Sequence, residues 1–261
     1  MSNPTITFIE VKGVETAQVV AGEGLPLLML HGWGANISLL WPLAERLLPL
    51  GYKVYILDLP GFGQSALPPS AWSVFDYANF LLTYMDCHQL DKVYLFGHSF
   101  GGRLSLILGA QHPERFVKIV LADSAGVRSK APLHIQIRTN FYRLIRNGLY
   151  RIGHRNLADS LRDWYGRRYG SADYKNSSGV MRETFVKVVN DDLLPYAARV
   201  KPPTFMFWGE NDQDTPLWQG RLLEKTIPDA GLHVFRGAGH YSYLEQLADT
   251  VRIMDYFFKQ A

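Results

Sequence analysis

Six short apolar runs, each of strand length, do most to limit what this chain can fold into: Leu25–Leu30, Lys53–Leu57, Lys92–Phe96, Phe116–Ala122, Pro203–Trp208 and Leu232–Phe235. Near-continuous apolar runs belong to strands buried on both faces. Between most of them the spacing of apolar residues turns helical, over Ser38–Leu50, Val74–Cys87, Phe100–Gln111 and Pro216–Thr226, with a last helix over Ser242–Lys259. Strands alternating with helices close as a parallel sheet with both faces covered. Two β-rich stretches, Thr5–Val11 and Thr16–Ala21, precede them, punctuated by Gly13 and by Gly22 and Gly24. The expected fold class is α/β, a mostly parallel β-sheet covered by helices on both faces.

The rhythm breaks between residues 125 and 199. Strand-like runs disappear there, and helical patterns cover Leu133–Asn147, Asn156–Tyr165 and Val180–Leu193. This segment holds 14 Lys and Arg against 6 Asp and Glu, a net +8, which leaves −5 for the rest of a chain of net +3. The expected organisation is a core of residues 1–124 and 200–261 with a helical cap, 125–199, inserted. The cap aromatics Phe141, Tyr142, Tyr150, Trp164, Tyr165, Tyr169, Tyr174 and Phe185 either pack the cap or line a pocket beneath it. Its arginines either form a solvated face or attract anionic substrates or a membrane surface.

Composition excludes several classes. With 261 residues and 47% hydrophobic content, the chain can bury a core without staples. Its single cysteine, Cys87, rules out an internal disulfide and a cysteine-based zinc cage. A net charge of +3 does not mark a nucleic-acid binder. No run approaches the roughly 18 apolar residues of a membrane span. The first residues lack the basic and apolar regions of a signal peptide, so a cytoplasmic location is expected. No cofactor and no metal are expected, and nothing sets the oligomeric state.

The chemistry centres on Gly97-His98-Ser99-Phe100-Gly101, a G-x-S-x-G between the strand Val93–Phe96 and a helix. That context is what a nucleophile elbow requires. A serine on so sharp a turn needs neighbours without side chains at −2 and +2, and Gly97 and Gly101 provide them. Ser99 then sits at a helix N-terminus, where backbone N–H groups favour developing negative charge. A serine hydroxyl is a weak nucleophile without a base. His240, in Gly239-His240-Tyr241 between a strand and the last helix, is the best placed base; the ring of His98 should point away from Ser99. For the acid that orients the imidazole, Asp212 is the choice in Glu210-Asn211-Asp212-Gln213-Asp214. Asp214 reads as a helix cap, Glu210 as surface, and Asp123, at the end of a strand, is the distant rival. His31-Gly32-Trp33-Gly34 follows Leu25–Leu30, and its glycines let the backbone turn an N–H toward the site. The Trp33 and Phe100 amides are the natural oxyanion pair.

These segments, with Asp58-Leu59-Pro60-Gly61-Phe62-Gly63-Gln64-Ser65, resemble the α/β-hydrolase fold superfamily in its lidded serine esterase-like branch, over essentially the whole chain. The order Ser99, Asp212, His240 is that of the superfamily. The resemblance implies that Asp58 anchors its loop. Related dehalogenases and epoxide hydrolases carry aspartate at the elbow, and Ser99 argues against both. Hydrolysis of small to medium carboxylic esters through an acyl-enzyme is the expectation, with a small-molecule ester as partner. A carbon–carbon bond hydrolase of the ring-cleavage-product type is the alternative, although Ala35-Asn36 and Tyr241 depart from that pattern. A non-catalytic ligand-binding protein on this fold has no need of all three residues.

Overall fold

A computed structural model describes residues 3–128, 133–169 and 171–260. Eight strands form one sheet: β1 (Thr7–Val11), β2 (Val14–Ala21), β3 (Leu25–Leu30), β4 (Tyr52–Leu57), β5 (Val93–His98), β6 (Phe116–Ala122), β7 (Thr204–Gly209) and β8 (Ala230–Phe235). Their order is β1-β2-β4-β3-β5-β6-β7-β8. β2 pairs antiparallel with both β1 and β4, while every pair from β4 to β8 is parallel. The α/β class with a mostly parallel sheet is therefore correct.

The period-two geometry of strands sorts the side chains into two cores. Along β3, Leu28 and Leu30 join Tyr77, Phe80, Leu104 and Leu108 from α2 (Val74–Cys87) and α3 (Phe100–Gln111). Leu27 and Met29 face the other way, onto Leu40, Leu47, Met254 and Phe258. Those belong to α1 (Ile37–Leu47) and to the C-terminal helix. Helices thus cover both faces. α1 ends three residues before the expected boundary, in a 3₁₀ turn over Leu48–Leu50. Pro49 has no N–H to continue the α-helical ladder there.

Between β6 and β7 come α4 (Leu133–Arg151), α5 (Arg155–Tyr169), α6 (Ala172–Asn176), α7 (Gly179–Asn190) and α8 (Leu194–Ala197). The short α6 and α8 have too few residues to show helical periodicity. Residues 129–132 and 170 of the expected insertion lie outside the described residues. After β7 comes α9 (Leu217–Thr226). The expected last helix divides into α10 (Ser242–Glu245) and α11 (Leu247–Lys259). The break falls at Gln246, whose backbone, at φ −118° and ψ 46°, is not helical.

Candidate active site

Ser99 stands between β5 and α3 with φ 50° and ψ −107°, a strained conformation for a residue with a side chain. The surroundings hold it there. Its N–H donates to the carbonyl of Ala122 (3.0 Å), and its own carbonyl accepts from Arg103 and Ala125. The turn needs the flanking glycines for a steric reason. A Cβ on Gly97 would lie 2.6 Å from the Gly101 carbonyl oxygen, and one on Gly101 would lie 2.2 Å from that of Leu30.

The structure brings Ser99, His240 and Asp212 together. His240 Nδ1 lies 2.9 Å from Asp212 Oδ2, and His240 Nε2 lies 3.0 Å from Ser99 Oγ. An ionised carboxylate only accepts, so Nδ1 carries the proton and Nε2 is free to accept from the Ser99 hydroxyl. Asp212 is buried, and its Oδ1 accepts from the N–H groups of Asp214 (2.8 Å) and Thr215 (2.9 Å). The Thr215 hydroxyl donates to Oδ2 at 2.7 Å. Burial alone would raise its pKa, but the hydrogen bonds from His240 and Thr215 hold Asp212 below the usual carboxylate range. For His240 the balance is reversed. Burial disfavours the imidazolium, yet the bond to Asp212 and the charges of Asp212, Asp123 and Asp214 raise its pKa above the ordinary histidine value.

The rival acids take other places. Asp123 is fully buried and faces the loop that carries His240, not its ring. Its Oδ1 accepts from Gly209 N–H (2.8 Å), and its Oδ2 accepts from the N–H (3.1 Å) and hydroxyl (2.7 Å) of Ser242. Burial outweighs those bonds and pushes its pKa up to about 7. Asp214 is exposed; α9 starts from Pro216 without a side-chain cap, so the capping role expected of Asp214 is not seen. Glu210 is exposed and accepts from Gly237 N–H.

The opposite wall is built by the loop after β3. His31 is buried; its Nδ1–H donates to the Gly32 carbonyl (2.7 Å), and its Nε2 accepts from Leu59 N–H (3.0 Å). The His31 carbonyl in turn accepts from Gly101 N–H (3.1 Å), tying this loop to the elbow. A Cβ on Gly32 would lie 3.2 Å from that of Ser99. Phe100 opens α3, so its amide is one of the donors a helix leaves unsatisfied in its first turn. Trp33 and Phe100 both line the cavity above Ser99, and their rings pack edge-on. Asp58 holds the neighbouring loop through Ile37 N–H and Gln64 N–H, both at 2.7 Å.

Several residues at the site were not legible in the sequence. His98 is buried against His240; its Nε2–H donates to the His240 carbonyl at 2.9 Å. Its Nδ1 has no hydrogen-bond partner among the described residues, and burial, aided by His240, lowers its pKa to about 3. Arg103, one turn beyond Ser99, is buried in the cavity wall and donates to the Asp191 carbonyl. Burial lowers its pKa to about 10 against the opposing charges of Asp191 and Asp192. Thr215, just before α9, bonds Asp212 through both its N–H and its hydroxyl. The cavity has a volume of about 310 Å³. From the 125–199 segment it takes Ala125, Ser171, Asp173, Phe185, Val188 and Val189. Of the eight aromatics named in that segment, Phe185 alone lines it; Phe141, Tyr150, Trp164 and Tyr169 are exposed, and Tyr142 stacks on Tyr165.

A doubly covered, mostly parallel sheet with a serine on a strained strand–helix turn and a histidine–carboxylate pair against it defines the α/β-hydrolase class. The chain belongs to the alpha/beta hydrolase fold family, whose model matches residues 26–247. It is 26% identical over 248 residues to the pimeloyl-[acyl-carrier protein] methyl ester esterase of Chromobacterium violaceum, covering 89% of this chain and 94% of that one. It is 28% identical over 264 residues to the 2-hydroxymuconate semialdehyde hydrolase of Pseudomonas sp. strain CF600, covering 95% and 92%. Among solved structures, an esterase from Exiguobacterium antarcticum superposes with a TM-score of 0.75 at 21% identity, covering 97% of this chain and 99% of that one.

Proposed function

We propose that this protein is a serine hydrolase that cleaves small to medium carboxylic esters through an acyl-enzyme. The observation that carries this reading is the continuous relay from Asp212 Oδ2 through the imidazole to Ser99 Oγ, with spacings of 2.9 and 3.0 Å. Ser99 Oγ attacks the acyl carbon as its proton passes to His240 Nε2. The imidazolium is stabilised by Asp212. The oxyanion is received by the Trp33 and Phe100 amides. The intermediate collapses by breaking the ester C–O bond, and His240 returns the proton to the leaving alcohol. Water, deprotonated by His240, then hydrolyses the acyl-enzyme and restores Ser99. Residues 125–199 act as a cap in this reading, because six of their side chains and backbone positions line the cavity.

The relatives support ester chemistry and also keep carbon–carbon hydrolysis as the second reading, since one matched at 28% identity is a 2-hydroxymuconate semialdehyde hydrolase. The test has two arms. Fluorophosphonate treatment followed by peptide mapping should label Ser99, and Ser99→Ala should lower ester turnover by about 10⁴-fold or more. A panel of p-nitrophenyl esters and vinylogous 1,5-diketones then separates the readings. Cleavage of the diketones with no ester turnover would assign the alternative. No label and no turnover on either panel would point to a non-catalytic binding protein.

A further inference from the structure

Among the described residues, the hairpin of α4 and α5 has an apolar face that no other element covers. No residue of the 19-residue α4 is buried. Leu133, Ile137, Phe141 and Leu144 are 72, 61, 64 and 71% exposed. At spacings of four, four and three residues they form one stripe along the helix. α5 does not cover this stripe. The contacts between the two helices use another side of α4: Tyr142 stacks on Tyr165 at 3.9 Å, Thr139 hydrogen-bonds Tyr165 at 2.9 Å, and Arg138 lies 3.8 Å over the Tyr169 ring. Tyr142 and Thr139 sit about 150° around the helix from the centre of the stripe. Trp164 on α5 and Ile152 in the connecting turn add two more side chains, 53 and 69% exposed.

Charge accompanies this apolar surface. Residues 133–169 hold eight arginines, no lysine and two acids, Asp159 and Asp163. Both acids are spent within the hairpin, on Arg162. The rest of the chain is net −3, so the net positive charge of the molecule comes from the segment that exposes the stripe. A helix with an apolar stripe flanked by arginines lies in the headgroup boundary of a membrane, with its apolar side chains among the acyl chains and its cations against anionic lipid. A protein partner would need an acidic surface with a matching apolar ridge; a second copy of this hairpin would oppose arginine to arginine. Charge therefore favours lipid over self-association.

We infer that the α4–α5 hairpin docks this protein peripherally on an anionic lipid surface. No helix among the described residues is long and apolar enough to cross a membrane, and the docking requires none. It does not depend on the ester-hydrolase reading. The stripe lies outside the residues that line the cavity around Ser99, so docking leaves the site chemistry unchanged.

The test is vesicle co-sedimentation of the full chain, with phosphatidylcholine alone and with phosphatidylcholine and phosphatidylglycerol in about equal parts. Wild type should sediment with the anionic vesicles and not with the neutral ones, and added salt should release it. The double variant Phe141→Ser/Leu144→Ser should weaken binding about tenfold or more. Arg143→Glu/Arg151→Glu, at two exposed arginines, should do the same. Both should keep the wild-type Tm and, if the protein turns over p-nitrophenyl esters, the same rate on them. Two results overturn the inference. One is equal recovery of wild type and variants with anionic vesicles. The other is no vesicle binding by wild type, whether or not sedimentation velocity shows a dimer that Phe141→Ser/Leu144→Ser dissolves.

Discussion

At Ser99 the decisive interactions are a few ångströms long. Asp212 and Asp123 are both buried acids close to His240, but they do different work. Asp212 accepts from the imidazole itself, whereas Asp123 accepts from Gly209 and Ser242, on either side of it. Asp212→Asn should lower kcat by on the order of 10⁴-fold, because the amide no longer fixes the tautomer or stabilises the imidazolium. Asp214→Asn should leave kcat within a few fold. If Asp214→Asn abolished turnover and Asp212→Asn did not, the roles given to these acids would be wrong. The pH dependence follows from His240. Only its neutral form accepts the Ser99 proton, so kcat/KM is full at high pH and falls as pH drops through the pKa of His240. The neighbouring carboxylates raise that pKa above 6.5, so the inflection in a kcat/KM profile should lie above 6.5. A profile flat down to about pH 5 would argue against His240 as base.

At the scale of elements, the elbow is a close approach of two backbones. Gly101 on α3 lies against Leu30 on β3, with space for no side chain between them. Gly101→Ala should therefore either expel the turn from its strained conformation or push α3 off the sheet. A loss of about 2–4 kcal/mol is expected, within the range for overpacking combined with backbone strain. Denaturant unfolding measures it, and Ala110→Gly at the far end of the same helix, where the residue is only half-buried, serves as comparison at about 1 kcal/mol. Asp123 links a second set of elements. It joins β6 to β7 through Gly209 and to α10 through Ser242. Asp123→Ala leaves two buried N–H groups without an acceptor, at about 1–3 kcal/mol each. The expected fall in Tm is several degrees, with a smaller loss of kcat than Asp212→Asn.

For the whole molecule, the segment between β6 and β7 supplies part of the wall around Ser99. Phe185, Val188 and Val189 from α7 and Phe100 from α3 give the cavity an apolar side, and its volume of about 310 Å³ is small. Burying each further methylene of an acyl chain is worth about 0.8 kcal/mol, so kcat/KM should rise about fourfold per carbon from the acetate ester. Once the cavity is full it should fall through overpacking or exclusion. The measurement is kcat/KM for p-nitrophenyl esters from acetate to palmitate, below the solubility limit of each. An optimum at the longest chains, with a jump at the emulsion threshold, would contradict a small acyl site walled in part by α6 and α7.

The strand and helix identities were determined locally. Near-continuous apolar runs and helical spacing are properties of a few adjacent residues, and the six strands β3–β8 and the long helices follow from them, while β1 and β2 follow from β-rich stretches. The elbow was legible for the same reason, since Gly97 and Gly101 meet a steric need within five residues. His240 and Asp212 could be named because each sits in a loop at the end of a strand, where parallel sheets gather their sites. Which neighbouring acid meets the imidazole was decided by tertiary structure. Asp123, Asp212 and Asp214 all follow strands in the sequence, and the arrangement of β6, β7 and β8 sets Asp212 2.9 Å from His240 Nδ1. The same holds for His98, Thr215 and Arg103, whose partners lie on other segments or depend on the turn of a loop. The aromatics of residues 125–199 show the limit most plainly: helical spacing puts Phe141 and Phe185 on amphipathic faces alike. Only the packing of the helices points one into the cavity and leaves the other in solvent.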